Sequence, residues 1–287
     1  MNVVYQYDFW LENKPWPVSY SAIPYYYNDC IYYVYERPIQ KPFHIIELLK
    51  IPSGQEPKKI LLNISEELYL ALPNRWILFE YEGHIILSCG NSQPPRPATP
   101  ERKVCQIFLD LDEYGKQIIL PPEITGKYLC KKSIDIDRDI EIADYKMHYK
   151  NSRRYQCLSA DGNVLWEEKH RGYLYTPFEL KEGCVIFGTA GHGGGLYCYR
   201  LSDGKCLADI DTKGTERYCW QEDCIVCKGD KGQLIWVNPF EGAIIEELEL
   251  PGVLTDNSGI FASGSYVCAV GFHKNTNSPS IYLIEKD

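Results

Sequence analysis

Apolar and polar residues alternate along most of this chain, and the alternating runs end on glycine. LYCYRLSDG runs to Gly204, LIWVNPFEG to Gly242, RYQCLSADG to Gly162 and IFLDLDEYG to Gly115, with a looser copy, IELLKIPSG, ending at Gly54. A period of two sends successive side chains to opposite faces, so each run predicts a β-strand. Glycine at its end supplies the positive φ of a tight turn, and Asp beside it strengthens the turn. The copies recur about every 40 to 60 residues, and strands repeating at that period are the signature of a β-propeller.

Four antiparallel strands, a to d from the inside outward, fit each repeat. The fourth is clearest, with a over Tyr175–Leu180, b over Cys184–Thr189, c over Leu196–Leu201 and d in KCLADI. The fifth reads ERYCW, CIVCK, QLIWV and AIIEELEL. The third has b near Ile140–Tyr145, c at Arg154–Leu158 and d at Asn163–Glu167. WILFEYE, HIILSCG, VCQIFLDL and KQIIL make the second; Tyr20–Tyr26, CIYYVY, FHIIELLKI and KKILLNI make the first.

The last repeat has a strand from Phe261, then YVCAVGF and SIYLIEKD, and lacks its outer strand. At the other end Val3, Tyr5, Tyr7 and Phe9 alternate with Val4, Gln6, Asp8 and Trp10, with no hairpin mate nearby. The N-terminal strand is therefore expected to complete the last blade, which also removes an exposed sheet edge. The expected fold is all-β: a six-bladed β-propeller of four-stranded antiparallel blades, closed by the N-terminal strand, as a single domain over 1–287. Seven blades is the alternative, with Asn63–Asn74 holding a degenerate piece. The Pro-rich NSQPPRPATPERK, Asn91–Lys103, is expected to protrude as a loop between strands b and c of blade two.

Composition narrows the function classes. The 287 residues are 45% hydrophobic, enough for a sizeable core, and 23 tyrosines suit half-buried strands. A net charge of −9 argues against coating nucleic acid through bulk charge. No apolar run is long enough to span a membrane, and MNVVYQYDFW lacks the basic n-region of a signal peptide. Cys105, Cys157, Cys184, Cys198, Cys227 and Cys268 sit within strand patterns, where a reduced thiol packs as a small hydrophobe. A cytoplasmic protein with its twelve cysteines reduced is the expectation.

LSADGNVLWE (Leu158–Glu167) and LYCYRLSDGKCLADI (Leu196–Ile210) resemble the PQQ-type repeat of the quinoprotein alcohol dehydrogenase-like propeller superfamily. The resemblance is good over blades three to five and weaker over the first two. It implies that Trp and Gly of each repeat dock neighbouring blades; Trp166 and Gly162 match that motif, and position 207 is Leu. The family's dehydrogenases often carry adjacent cysteines above the quinone, need an acidic Ca²⁺ site and typically have eight blades. This chain has no Cys-Cys pair and is too short for eight blades. The resemblance therefore implies a non-catalytic member with no cofactor, since a fold hosts sites without dictating them.

The local motifs support no chemistry on their own. His192-Gly193-Gly194-Gly195 spells the lipase oxyanion loop, but no G-x-S-x-G follows, so a hairpin tip is expected. Asp135, Asp137 and Asp139 have calcium-loop spacing, yet Ile140 stands where Gly is needed and Lys146 where Glu is needed; an acidic turn is expected. Cys224 and Cys227 point to opposite faces of a strand and share no ion, so no metal site is expected.

Strand order maps charge onto loops. The b–c loops carry Arg37, Lys41, Arg96, Arg102, Lys103, Lys150, Arg153, Arg154, Lys231 and Lys274 against Glu36, Glu101 and Asp230. The a–b loops carry Asp29, Glu80, Glu82, Asp135, Asp137, Asp139, Glu222 and Asp223; Asp112, Glu113, Asp161, Asp203, Glu241 and Asp287 lie at the c–d side. The expected function is non-enzymatic binding of a macromolecule, as scaffold, adaptor or toxin-neutralising partner, with an acidic protein engaged by the basic b–c loops. Arg37, Arg96, Arg102, Lys103, Arg153, Arg154, His192 and Lys274 are the candidate contacts. The alternative is a channel enzyme, either quinone-dependent or acting on carbohydrate, for which no residue is singled out.

Overall fold

The structure is a computed structural model. It describes residues 1–8, 23–38, 44–62, 76–90, 106–127, 139–142, 144–151, 153–174, 176, 178–191, 193–213, 218–255, 259–273 and 278–286. Strand β1 (Asn2–Asp8) opens the chain. Blade one is β2 (Tyr25–Tyr27), β3 (Cys30–Pro38), β4 (His44–Pro52) and β5 (Lys58–Leu61). Blade two is β6 (Trp76–Tyr81), β7 (His84–Gly90), β8 (Gln106–Asp110) and β9 (Lys116–Ile118), followed by the short helix α1 (Pro122–Lys127). Blade three is β10 (Asp139–Ile142), β11 (Tyr145–Asn151), β12 (Arg154–Ser159) and β13 (Val164–Lys169).

In blade four the inner position is shared by β14 (Tyr173–Leu174) and β15 (Glu179–Lys181), followed by β16 (Cys184–Ala190), β17 (Gly195–Arg200) and β18 (Cys206–Asp211). Blade five is β19 (Tyr218–Gln221), β20 (Cys224–Lys228), β21 (Leu234–Asn238) and β22 (Ala243–Leu248). The last sheet is β23 (Ile260–Ser263), β24 (Tyr266–Phe272) and β25 (Pro279–Glu285), with β1 on the outside of β25. These six antiparallel sheets are the blades of a six-bladed β-propeller, and the N-terminal strand completes the sixth. Asn63–Asn74 and Asn91–Lys103 lie outside the described residues.

Two expectations need correction. Strand b of blade three is β11, not Ile140–Tyr145; Ile140 belongs to inner strand β10. Asp139 therefore begins strand a and is no part of an a–b turn, while Asp135 and Asp137 lie outside the described residues. Inner strand a of blade four is two short pieces where one continuous strand was expected. Both pieces pair with β16, and between them Thr176 Oγ1 accepts from Gly188 N at 2.6 Å.

The chain forms two compact units, one of Met1, Ser133–Ser265 and Asp287, the other of Asn2–Lys132 and Tyr266–Lys286. In the first, the middle strands of blade four supply two cores at once. Val185, Phe187, Tyr197 and Tyr199 join blade three's Tyr155, Cys157 and Trp166. The alternate residues Cys184, Ile186, Leu196 and Cys198 join blade five's Ile225, Cys227, Ile235 and Val237. A strand buried on both sides must be apolar or have its polar groups bonded; β16 is apolar from Cys184 to Gly188, and its Thr189 Oγ1 accepts from Gly195 N at 2.9 Å. Each large side chain so buried contributes about 1.5 to 3 kcal/mol.

The repeat glycine has a packing reason as well as a turn reason. At Gly204, with φ +69°, a Cβ would stand 2.6 Å from the Trp166 ring of the preceding blade. At Gly242, with φ +66°, it would stand 2.2 Å from the Leu207 carbonyl oxygen. Trp166 also donates its indole N–H to Leu201 O at 2.7 Å, so blade three docks on the c–d corner of blade four. Register places Ala208, not Leu207, at the position equivalent to Trp166. The difference arises from a bulge that recurs in the outer strands, leaving Leu165, Leu207, Ile245 and Val4 as the extra residues. Bulges twist an outer edge away from further pairing.

In the second unit, blade one packs Tyr33, Tyr35 and Leu49 with Cys268, Val270 and Ile281 of β24 and β25, and Tyr5 and Tyr7 of β1 cover this core. Its other face packs Val34 and Leu48 with Leu78, Ile85 and Leu87 of blade two.

Candidate functional site

Blade three puts its two faces to different uses. Tyr145 and Met147 of β11, Tyr155 and Cys157 of β12, and Trp166 of β13 pack into the core shared with blade four. Strand alternation sends the intervening residues Lys146, His148, Arg154, Gln156, Glu167 and Lys169 to the opposite face. Lys150 continues this alternation, and the register shifts there, between Tyr149 and Asn151.

Glu167 is the hub of the face. Its Oε1 accepts from Arg154 Nη1 at 2.9 Å, and its Oε2 accepts from Gln156 Nε2 at 2.6 Å and Lys150 Nζ at 3.1 Å. The Gln156 bond, then the Lys150 and Arg154 bonds, hold the Glu167 carboxyl below the usual carboxylate range. Lys150 and Arg154 each keep about half of their side-chain surface in solvent, at 49%. Arg154 pairs directly across the sheet with Lys169. Like charges in that position destabilise a sheet, and Glu167 is the carboxylate that relieves the repulsion.

Of the expected contacts, Arg153 and Arg154 stand at the β11–β12 corner of this face, both exposed. Arg37 lies on β3 opposite Ile45, in the other compact unit. Arg96, Arg102, Lys103, His192 and Lys274 lie outside the described residues. Lys146, His148, Gln156, Glu167 and Lys169 were missed because charge was assigned to loops. The signal was present in YKMHYK, where Lys146, His148 and Lys150 alternate with Tyr145, Met147 and Tyr149.

Two other clusters bring reactive side chains together. In blade two, His84, Asp110 and Asp112 have donor atoms within 4.8 Å of one another. Lys50 Nζ, however, bonds Asp112 Oδ1 at 2.8 Å, and Ile85 N–H donates to Asp112 Oδ2 at 3.0 Å. Asp110 Oδ1 accepts from the amides of Asp112 and Glu113, and its Oδ2 meets His84 Nδ1 at 2.9 Å. Burial would raise the Asp112 pKa, but the Lys50 and Ile85 bonds outweigh it and hold it low. An ammonium already holds one of the three groups, and the cluster ties blade one to two corners of blade two.

At blade six, Ser280 Oγ donates to Asp8 Oδ1 at 2.5 Å and lies 2.9 Å from His273 Nε2, which is 3.3 Å from the same Asp8 oxygen. The residue types are those of a nucleophile relay, but the geometry is different. A relay takes the serine proton at one ring nitrogen and orients the ring through the other. Here serine and carboxylate converge on one nitrogen, and Ser280 is fully buried. The cluster clasps β1 to the sheet.

Among the described residues, no helix is long and apolar enough to cross a membrane. No protein-family model and no curated protein matches the chain. Among solved structures it is similar to BamB from Moraxella catarrhalis, with 10% identity, 99% of each chain covered and a TM-score of 0.44. It is also similar to the computationally designed Ika8 protein, with 10% identity, 92% of this chain and 70% of that chain covered, and a TM-score of 0.36. The blade count rests on the sheets described above and not on these likenesses.

Proposed function

We propose that this protein is a non-enzymatic binding platform of the PQQ-like repeat class that works in the cytoplasm. Its partner is an acidic protein, engaged by the basic β11–β12 corner of blade three. The observation that carries this reading is the Arg154–Lys169 pair, two cations placed directly opposite on a half-exposed sheet face. Glu167 meets Arg154 through one guanidinium nitrogen, and an incoming carboxylate that met Lys169 as well would relieve the pair further. The seating of Trp166 on Gly204 supports the repeat class, because it is the Trp–Gly docking that the sequence resemblance implies.

A protein partner is favoured over a nucleic acid by what the face lacks. Single-stranded nucleic acids are held by aromatic platforms as well as cations. Tyr145, Tyr155 and Trp166 all turn to the opposite side of this blade. The test is fluorescence anisotropy with a labelled peptide of alternating Glu and Ser, with oligouridylate as the competing anion. The wild type should bind the peptide in a salt-sensitive manner, and Arg153→Glu/Arg154→Glu should abolish binding with an unchanged melting temperature. Equal binding by the reversed variant, or preference for oligouridylate, would refute the proposal.

A further inference from the structure

We infer that the outer edge of β25 is an acceptor site for the β1 strand of a second copy of this chain, so that two copies can exchange N-terminal strands and complete each other's sixth blade. The connectivity of the outer strands points to it. β5, β9, β13, β18 and β22 each follow their neighbour in the sheet through a turn of four or five residues, which holds them in place. β1 has no such hairpin. Its neighbour β25 stands at the far end of the sequence, and residues 9–24, sixteen in all, join β1 to β2.

The edge of β25 specifies its occupant. It pairs with β1 from Asn2 opposite Glu285 to Asp8 opposite Ser280. Tyr5 and Tyr7 pack on the core that blade six shares with blade one, and Ser280 Oγ donates to the Asp8 carboxylate at 2.5 Å. The strand that fits therefore carries aromatic residues two apart and a carboxylate directly after the second, which is the sequence of β1 itself. Asn2, Val3, Val4, Gln6 and Asp8 are exposed, so β1 can leave without opening the core beyond Tyr5 and Tyr7. What it leaves behind keeps its packing, because Val270, Ile281 and Leu283 of β24 and β25 are buried against Tyr33, Tyr35 and Leu49 of blade one.

Exchange breaks and remakes the same contacts, so its cost is the loss of the tether alone, the general reason that swapping an element is a low-cost route to a dimer. A short flexible tether holds its strand at an effective concentration of about 1 mM, which makes the closed monomer the main form in dilute solution and the exchanged dimer its rival near that concentration. The tether is needed for closure within one chain. The Tyr26 ring of β2 meets Tyr266, at the end of the sheet where Asn2 lies. Asp8 is six residues further along β1, about 20 Å away.

The experiment places Asn2→Cys and Glu285→Cys in the full-length chain, at positions directly opposite across the β1–β25 pair. The protein is incubated to constant composition at low and high concentration, oxidised, and run on a non-reducing gel, with wild type as the control for the native cysteines. Closure within one chain gives a cross-linked monomer, whereas exchange gives a covalent dimer. The dimer should hold about 2% of chains at about 10 µM and about half at about 1 mM. A second variant lacking residues 9–23 keeps a link of about 7 Å, too short for closure, and should sediment as a dimer at both concentrations. No more dimer than in wild type at the high concentration overturns the inference, and so does a deletion variant that is folded and monomeric. If the deletion variant does not fold, cross-linking of the full-length chain decides.

Discussion

At the scale of single residues, Trp166 ties blade three to blade four by packing and by a hydrogen bond. It is buried, donates to Leu201 O, and fills the space that a Cβ on Gly204 would need. Trp166→Ala should cost about 3 to 5 kcal/mol, read from the urea midpoint, whereas Trp166→Phe should cost less by keeping most of the ring. Gly204→Ala should also destabilise, because the added methyl meets Trp166 and the φ is left-handed. A Gly204→Ala protein as stable as wild type would show that the ring does not sit there. Beside this contact lies His170, buried among Tyr155, Phe187 and Tyr197. Burial pushes its pKa below the ordinary histidine value, with Arg153 adding to the shift and the bond to Arg171 O opposing it. The unfolded chain therefore takes up a proton before the folded one does as pH falls. Stability should be full above about pH 6.5 and decline as pH drops through the range between the unfolded and folded pKa values. His170→Phe should flatten that part of the pH–stability curve, and an unchanged slope would refute the assignment.

At the scale of elements, β1 is the clearest case of a strand that must come from elsewhere in the chain. Strand β25 is buried along Pro279–Ile284, and β1 is the element that covers its outer edge. Tyr5 and Tyr7 pack on the core beneath, and Asp8 is tied to Ser280 and His273. Deleting residues 1–8 should lower the melting temperature by about 10 °C or more, since it removes several kcal/mol of burial and bares a strand edge. A truncated protein melting within a degree or two of the full chain would show that β1 contributes little. Burial would raise the Asp8 pKa, but its bonds to Ser280, Gln6 and His273 prevail and lower it. The clasp is therefore at full strength above the unfolded aspartate pKa and weakens as pH falls through the lower folded value. This strand was legible in the sequence because its alternation had no hairpin mate and the last blade was one strand short. Blade three was read less well. The run IDIDRDIEI alternates at every position but Arg138, and a period of two says nothing about where a strand starts. The connection between β10 and β11, Ala143-Asp144, holds no glycine to mark the turn, so the pattern alone places strand b too early. That slip hid the alternation of Lys146, His148 and Lys150. The bond from Glu167 to residues on two other strands was beyond any pattern, because it depends on register and on a bulge.

At the scale of the whole molecule, the cysteines report on both compact units at once. Cys157, Cys184, Cys198 and Cys227 are buried in the first unit, and Cys30, Cys89 and Cys268 in the second. All ten cysteines among the described residues are free thiols. Burial pushes the Cys30 and Cys157 thiols up to about 11 and the Cys219 thiol up to about 12, and drives Cys198, Cys227 and Cys268 higher still. Since the thiolate is the reactive form, Cys30, Cys157, Cys198, Cys227 and Cys268 should be inert in the folded protein for two reasons, lack of access and lack of charge. Cys206 is the exposed thiol among the described residues, on the outer strand of blade four beside the bulged Leu207. Burial raises its pKa as well, so its labelling by iodoacetamide at pH 8 should be slow, yet faster than that of the core thiols. Mass spectrometry of tryptic peptides after brief native labelling should find Cys206 modified ahead of Cys198, Cys227 and Cys268. Labelling under denaturing, non-reducing conditions should then reach close to all twelve. Early modification of Cys227 or Cys268 would mean that a core described here as packed is open. Two or more cysteine pairs still protected in denaturant, in protein prepared without oxidant, would instead place the chain in an oxidising compartment and overturn the cytoplasmic assignment.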